Sequence, residues 1–124
     1  MKATPGTQAG KSLLDETLVV LLSDFARTWP KSGPTSDHWP SNTVILAGGG
    51  LNANRMVGTY AVNTADANAS GFDGVPVAVR ESTGDVTRKP RSADVVTTAL
   101  AVMGVHNVRI PGGNGEILGV RTGT

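Results

Sequence analysis

Two short apolar runs, Leu18–Leu22 (LVVLL) and Thr43–Ala47 (TVILA), enclose a polar stretch and constrain this chain more than any other feature. Each run is rich in leucine or β-branched residues and lacks an alternating polar face. That pattern predicts strands buried on both sides, as in a parallel sheet covered by helices. In such sheets ligands bind outside the carboxyl ends of the strands. Asp24 follows the first run and is thereby placed at that edge. The enclosed loop also carries Arg27, Asp37, His38 and both tryptophans, Trp29 and Trp39.

The 124 residues allow one domain with a modest core. Leu, Ile, Val and Phe make up about 23% of the chain, only slightly above the share that marks disorder. Glycine, at 16 residues, stands near twice its average usage, so much of the chain is turn and loop. A domain of this kind is marginally stable alone, and the composition is read as part of a larger fold.

The formal net charge of +1 comes without a clustered basic face. The densest basic group, Arg80, Arg88, Lys89 and Arg91, is interrupted by Pro90, which gives no footprint for nucleic acid. The chain has no cysteine, so it has no disulfides, thiolate metal sites or cysteine nucleophiles. Its longest apolar run is far short of the roughly 20 residues a membrane helix needs, and the first dozen residues lack a signal-peptide core. A soluble chain without a targeting address is expected, and its compartment is not specified by the residues.

Residues 1–12 read as a flexible, extended lead-in, followed by a single domain fragment over 13–124. Gly6 to Ser12 (GTQAGKS) imitates a phosphate-binding P-loop. It has three residues between its glycines where the motif needs four, and it does not follow a strand, so that reading is rejected. Phe25 to Asn42, with Pro30, Gly33, Pro34 and Pro40, is loop. Gly48-Gly49-Gly50 allows positive φ and close backbone approach. Leu51–Val62 is expected to form an irregular hairpin and Thr64–Asp73 a surface loop. Val75, Val77 and Val79 alternate with Pro76, Ala78 and Arg80 as an edge strand. The clearest helix runs near Ala93–Met103, with Ser92 as N-cap, Asp94 in the first turn and Gly104 as the stop. Its wide apolar face predicts packing on one face of the sheet. One more short strand is expected near Ile117–Val120.

His38 beside Asp37, with Asp24 at a strand end, is a donor set for a hard or borderline divalent metal. Such an ion would activate water or neutralise a phosphoryl or sulfuryl oxygen. Arg27 adds a planar fork for the same anion. On residue types alone the plainer reading is favoured: Asp24 as a strand-end cap, the tryptophans as packing anchors, His106 as an exposed loop residue.

LLDETLVVLLSDFART, then SDHWP, then VILAGGGLNANRMVGTY, resembles the C-terminal part of a bacterial family filed as domain of unknown function 1501. That family is placed in the alkaline-phosphatase and sulfatase-like superfamily. The similarity extends to Asp94–Leu100 and the end of that helix at Met103-Gly104, in the family's order, and so spans about Leu13 to Gly104. The resemblance implies an α/β fold. The expected piece is part of an alkaline-phosphatase-like α/β/α sandwich, mostly parallel strands with one main packing helix.

It also implies a divalent-metal site, zinc or calcium, for hydrolysis of phosphate or sulfate esters. Asp24 and His38 match metal positions, with Asp37 orienting the imidazole and Arg27 binding the anion. Phe25 stands where phosphatases and sulfatases place a paired histidine. The nucleophile belongs to an N-terminal half that the resemblance puts outside this chain, so no catalytic residue is assigned and the chain is expected to be inactive alone. Its expected partners are that missing half or a second copy, with export implied by the family only. The alternative is a non-catalytic binding or structural module.

Overall fold

The polar loop doubles back instead of crossing over. The computed structural model describes residues 3–27, 38–39, 41–62, 74–77, 79 and 89–123. Strand β1 (Leu18–Leu21) pairs with β4 (Ile45–Gly48), and between them β2 (Ala26–Arg27) pairs with β3 (His38–Trp39). Both pairs are antiparallel. Leu18 faces Gly48 and Leu21 faces Ile45, while Ala26 faces Trp39 and Arg27 faces His38. The two ladders are nested in one long hairpin, with one extra residue on the returning limb between them. Asn42 bridges this offset, its side-chain amide donating to the Ser23 carbonyl.

The parallel arrangement expected for the two apolar runs is therefore corrected. They are neighbours, but they run in opposite directions. Parallel partners need a crossover of a dozen or more residues, usually helical, whereas nested antiparallel strands need none. A connection holding three prolines and few helix formers favours the second solution. Burial is corrected with it. Leu21, Leu22 and Ile45 are 58%, 66% and 57% exposed, so this hairpin is not covered on both faces.

The glycine triplet closes the hairpin at its base. Gly48 has φ +137°, and a Cβ on it would lie 1.9 Å from the Thr17 carbonyl oxygen. A Cβ on Gly49 would lie equally close to the Asp15 carbonyl oxygen, and the Gly49 N–H donates to Leu14 at 3.0 Å. Only bare backbone fits in these two places.

Residues read as an extended lead-in also fold back. Pro5 bridges Ser12, the Gly6 N–H donates to Lys11 at 2.8 Å, and the Leu13 N–H donates to Thr4 at 2.8 Å. The chain after the triplet does not form the expected hairpin over Leu51–Val62. Leu51 instead bridges Arg121, and β5 (Tyr60–Val62) pairs antiparallel with β6 (Gly74–Pro76). Proline is tolerated in β6 because, among the described residues, this sheet has two strands and β6 is an edge. The expected loop over Thr64–Asp73 lies outside the described residues, as do Ala78 and Arg80 of the valine-alternating stretch.

Helix α1 (Ser92–Val102) falls within a residue of its expected start and end. Its N-cap is Arg91 and not Ser92. The Asp94 carboxylate, three residues in, reaches back to accept from the Arg91 backbone N–H at 2.7 Å, and this fixes the start one residue earlier. The stop at Gly104 is a paired C-terminal motif: Gly104, at φ +85°, donates to Ala101 and Val105 donates to Leu100.

The helix is seated on the C-terminal segment, and the expected packing on the strand face is corrected: among the described residues no strand makes a substantial contact with it. Asp94 Oδ1 accepts from the Asn114 N–H at 2.6 Å. Thr98 Oγ1 donates to the Asp94 carbonyl and accepts from the Ile117 N–H at 2.9 Å. Asp94 and Thr98 are fully buried, and Ala101 on the same helix and Ile117, which donates to Thr98, are buried apolar residues beside them.

The same segment then returns to the hairpin base. Asn52 makes the joint: its N–H donates to the Val120 carbonyl at 2.9 Å and its side-chain amide to the Gly119 and Arg121 carbonyls. Where a strand is expected near Ile117–Val120, the described residues show isolated bridge positions at Ile117 and Arg121, and this asparagine joins the tail to the hairpin base.

Candidate functional site

The residues singled out for chemistry lie at the end of β1 and on the β2–β3 pair. Asp24 is exposed, three residues after the end of β1. Its Oδ1 accepts from the Phe25 N–H at 3.0 Å and from the Ser23 hydroxyl at 3.3 Å, so one carboxylate oxygen serves the local turn. His38 is exposed and its imidazole stacks on Phe25, with ring centroids 3.7 Å apart and planes 20° from parallel. The Arg27 guanidinium carbon lies 5.1 Å from the centre of the same ring. Register places Arg27 directly opposite His38.

Alternation along a strand puts residues two apart on one face, so Phe25, Arg27 and His38 share a face of the hairpin. The structure brings these three together, in a group that combines one imidazole, one guanidinium and one aromatic ring. It places Asp24 at the neighbouring turn, where one carboxylate oxygen is held by Ser23 and Phe25. Asp37 lies outside the described residues. Trp39, half-buried, faces Ala26 on the other side of the same pair. Among the described residues no three His, Cys, Asp or Glu side chains gather closely enough to hold a metal by themselves.

A second polar constellation was not anticipated. The Glu16 carboxylate accepts from the Thr7 N–H at 2.7 Å, the Thr7 hydroxyl at 2.8 Å and the Gln8 N–H at 2.6 Å. A Cβ on Gly6 would lie 2.8 Å from that carboxyl group. The stretch that imitates a P-loop thus does gather backbone N–H groups around an oxyanion, but the oxyanion is its own glutamate. A usable sequence signal was present in Ser12-Leu13-Leu14-Asp15, where a serine precedes an acid by three residues. The Asp15 carboxylate accepts from both the N–H and the hydroxyl of Ser12, and the following turn delivers Glu16 to the loop.

The amide of Thr7, then that of Gln8, holds the Glu16 carboxyl below its ordinary pKa by stabilising the charged form, with Asp15 opposing. Since the folded-state value is the lower one, the carboxylate's contribution is fully present above the unfolded-state value and is lost as pH falls through the folded-state value. Acidification is therefore expected to release the Thr7–Gln8 amides. Their NMR shifts should titrate together below the usual carboxylate range, and Glu16→Gln should remove that titration.

Residues 9–79 match the model of the family described as "Protein of unknown function (DUF1501)". The match takes in the hairpin from base to tip, Asp24, Arg27, His38 and β5–β6, and covers more than half of the chain. The chain belongs to the DUF1501 family. No curated protein and no solved structure matches the chain.

Proposed function

We propose that this chain is the C-terminal part of a metal-dependent phosphate- or sulfate-ester hydrolase of the alkaline-phosphatase and sulfatase type. In this reading it binds but does not turn over substrate without the nucleophile-bearing half. The observation that carries the reading is the pairing of Arg27 with His38 at the hairpin tip, next to Asp24 and inside the family match. Asp24 and His38 are the protein's contribution to a zinc or calcium site, and Asp37 is the residue assigned to orient the imidazole. The ion would supply Lewis acidity toward an ester oxygen. Arg27 offers a planar donor fork to the same anion.

The donor set fits such an ion in type but is short in number. Protein zinc sites usually take three or four ligands, and Asp24 with His38 supplies two, so binding by this chain alone is weak. The test is calorimetric titration with zinc and with calcium, comparing the native chain with His38→Ala. A weak, saturable heat for the native chain that is lost in His38→Ala is expected. Equal heats from both would remove His38 from the site.

One observation favours a second reading, that of a non-catalytic module. Leu21 and Ile45, paired across the hairpin, present an uncovered apolar strip of the kind that marks contact surfaces. In the hydrolase reading that strip is covered by the other half. Among the described residues no helix is long and apolar enough to cross a membrane.

A further inference from the structure

Helix α1 is turned the wrong way round for a chain standing alone. The residues it buries are Asp94, Thr97, Thr98 and Ala101, spaced three and four apart along one side. Val96, Ala99, Leu100 and Met103 lie on the opposite side at the same spacing. Val96 is 47% exposed and Met103 68%. A surface helix normally turns its polar side to water and its apolar side to a core. Here the tail has taken the polar side, through the Asn114 and Ile117 amides, and the apolar side faces out.

The β1–β4 ladder has the complementary deficit. Register sets Val19 opposite Ala47 and Leu21 opposite Ile45, and alternation puts these four on one face. That face is wholly aliphatic, and Leu21, Ile45 and Ala47 are exposed. Such a sheet face is buried by a helix packed on it, and an apolar helix stripe is buried by a sheet. Within one chain the two do not meet, since among the described residues no strand makes a substantial contact with α1.

The two surfaces match in size and in charge. The helix spans about 16 Å, and four residues of strand span about 13 Å. Neither face carries a charged residue, so two copies bring no like charges together there. The rims differ in sign: exposed Arg91 stands at the helix start, and exposed Asp15 and Asp24 stand before and after β1. One helix-on-ladder contact is small beside the roughly 800 Å² per partner of a stable interface. A two-fold arrangement makes the contact twice, because each copy offers both surfaces.

We propose that α1 and the β1–β4 ladder form a reciprocal interface between two copies of this chain, the helix of each seated on the ladder of the other. The partner is a second copy because the chain itself carries both complementary surfaces. The inference accounts for the same strip that favours the module reading, and it needs no bound ion.

The chain has no cysteine, so single cysteines can be placed without background. Ile45→Cys and Val96→Cys mark the two surfaces, and a short bismaleimide is added to each variant alone and to an equal mixture. The mixture should give a cross-linked dimer and either variant alone little of it. Sedimentation velocity on the native chain should show a monomer–dimer equilibrium. Ile45→Lys and Val96→Lys should each weaken it roughly 10-fold or more, because each buries an ammonium without a partner.

A native chain that stays monomeric at every concentration would overturn the second copy as partner. Val96→Cys cross-linking to itself and not to Ile45→Cys would overturn the helix-on-ladder arrangement, as would lysine variants that dimerise like the native chain. Should Val96→Lys fail to fold by circular dichroism, Ile45→Lys and the cross-links still decide.

Discussion

Gly49→Ala is expected to destabilise the protein by about 3 kcal/mol or more, the upper end of the cost of forcing extra atoms into a filled space. The added Cβ would fall 1.9 Å from the Asp15 carbonyl oxygen and 2.9 Å from the Asp15 Cα. Both are backbone atoms, so no side chain can swing aside. The hydrogen bond from Gly49 to Leu14 holds the two segments at this separation and would have to lengthen. Gly10→Ala is the comparison without a close approach. Gly10, unlike Gly49, has positive φ, +77°, and nothing lies within 4 Å of the added atom. Its cost should be that of the left-handed backbone alone, about 1–2 kcal/mol. Urea unfolding of both variants measures the difference, and equal losses would mean that close approach at the hairpin base is not what fixes Gly49.

Asp94→Ala is the second large effect expected, a loss of about 3 kcal/mol. Asp94 is fully buried, and its carboxylate joins two parts of the chain that are far apart in sequence: the Arg91 N–H at the helix start and the Asn114 N–H in the tail. Alanine removes both hydrogen bonds to the charged carboxylate, each worth about 1.5–3 kcal/mol. Asp94→Asn keeps a single side-chain oxygen and should lose roughly half as much by the same reasoning. Helix content by circular dichroism should fall with stability in Asp94→Ala, because a helix rich in β-branched residues depends on its docking. Retained helicity with loss of the tail contacts would show that the helix stands without this carboxylate.

These two residues also show what could be read from the sequence and what could not. The helix was legible because its signals are local. An acid in the first turn, a run of apolar residues and a glycine at the stop all act within a few residues of where they stand. The close approach implied by three successive glycines was legible for the same reason. Strand direction was not legible. LVVLL and TVILA say that two strands exist, but the direction of pairing is decided by the path between them. The prolines of that path favour a nested return over a helical crossover.

The seat of the helix was hidden for a related reason. Residues 112–117 have no periodic pattern, and their use is backbone donors offered to Asp94 and Thr98, which no hydropathy pattern marks. At the tip of the hairpin, Asp24, Arg27 and His38 stood out by type. The stacking of Phe25 on His38 did not, because an aromatic residue in a loop reads as packing until its stacking partner is known.

The central claim is that Asp24 and His38 belong to one divalent-ion site at the tip of the hairpin. Paramagnetic manganese, added in small steps to the isotopically labelled chain, tests it most directly, because line broadening reports distance from the ion. The account predicts that the amides of Ser23–Arg27 and of His38–Trp39 broaden first and together, and that His38→Ala abolishes the preference. Broadening that begins instead at Asp15 and Glu16, or that reaches Asp24 while leaving His38 sharp, would contradict it.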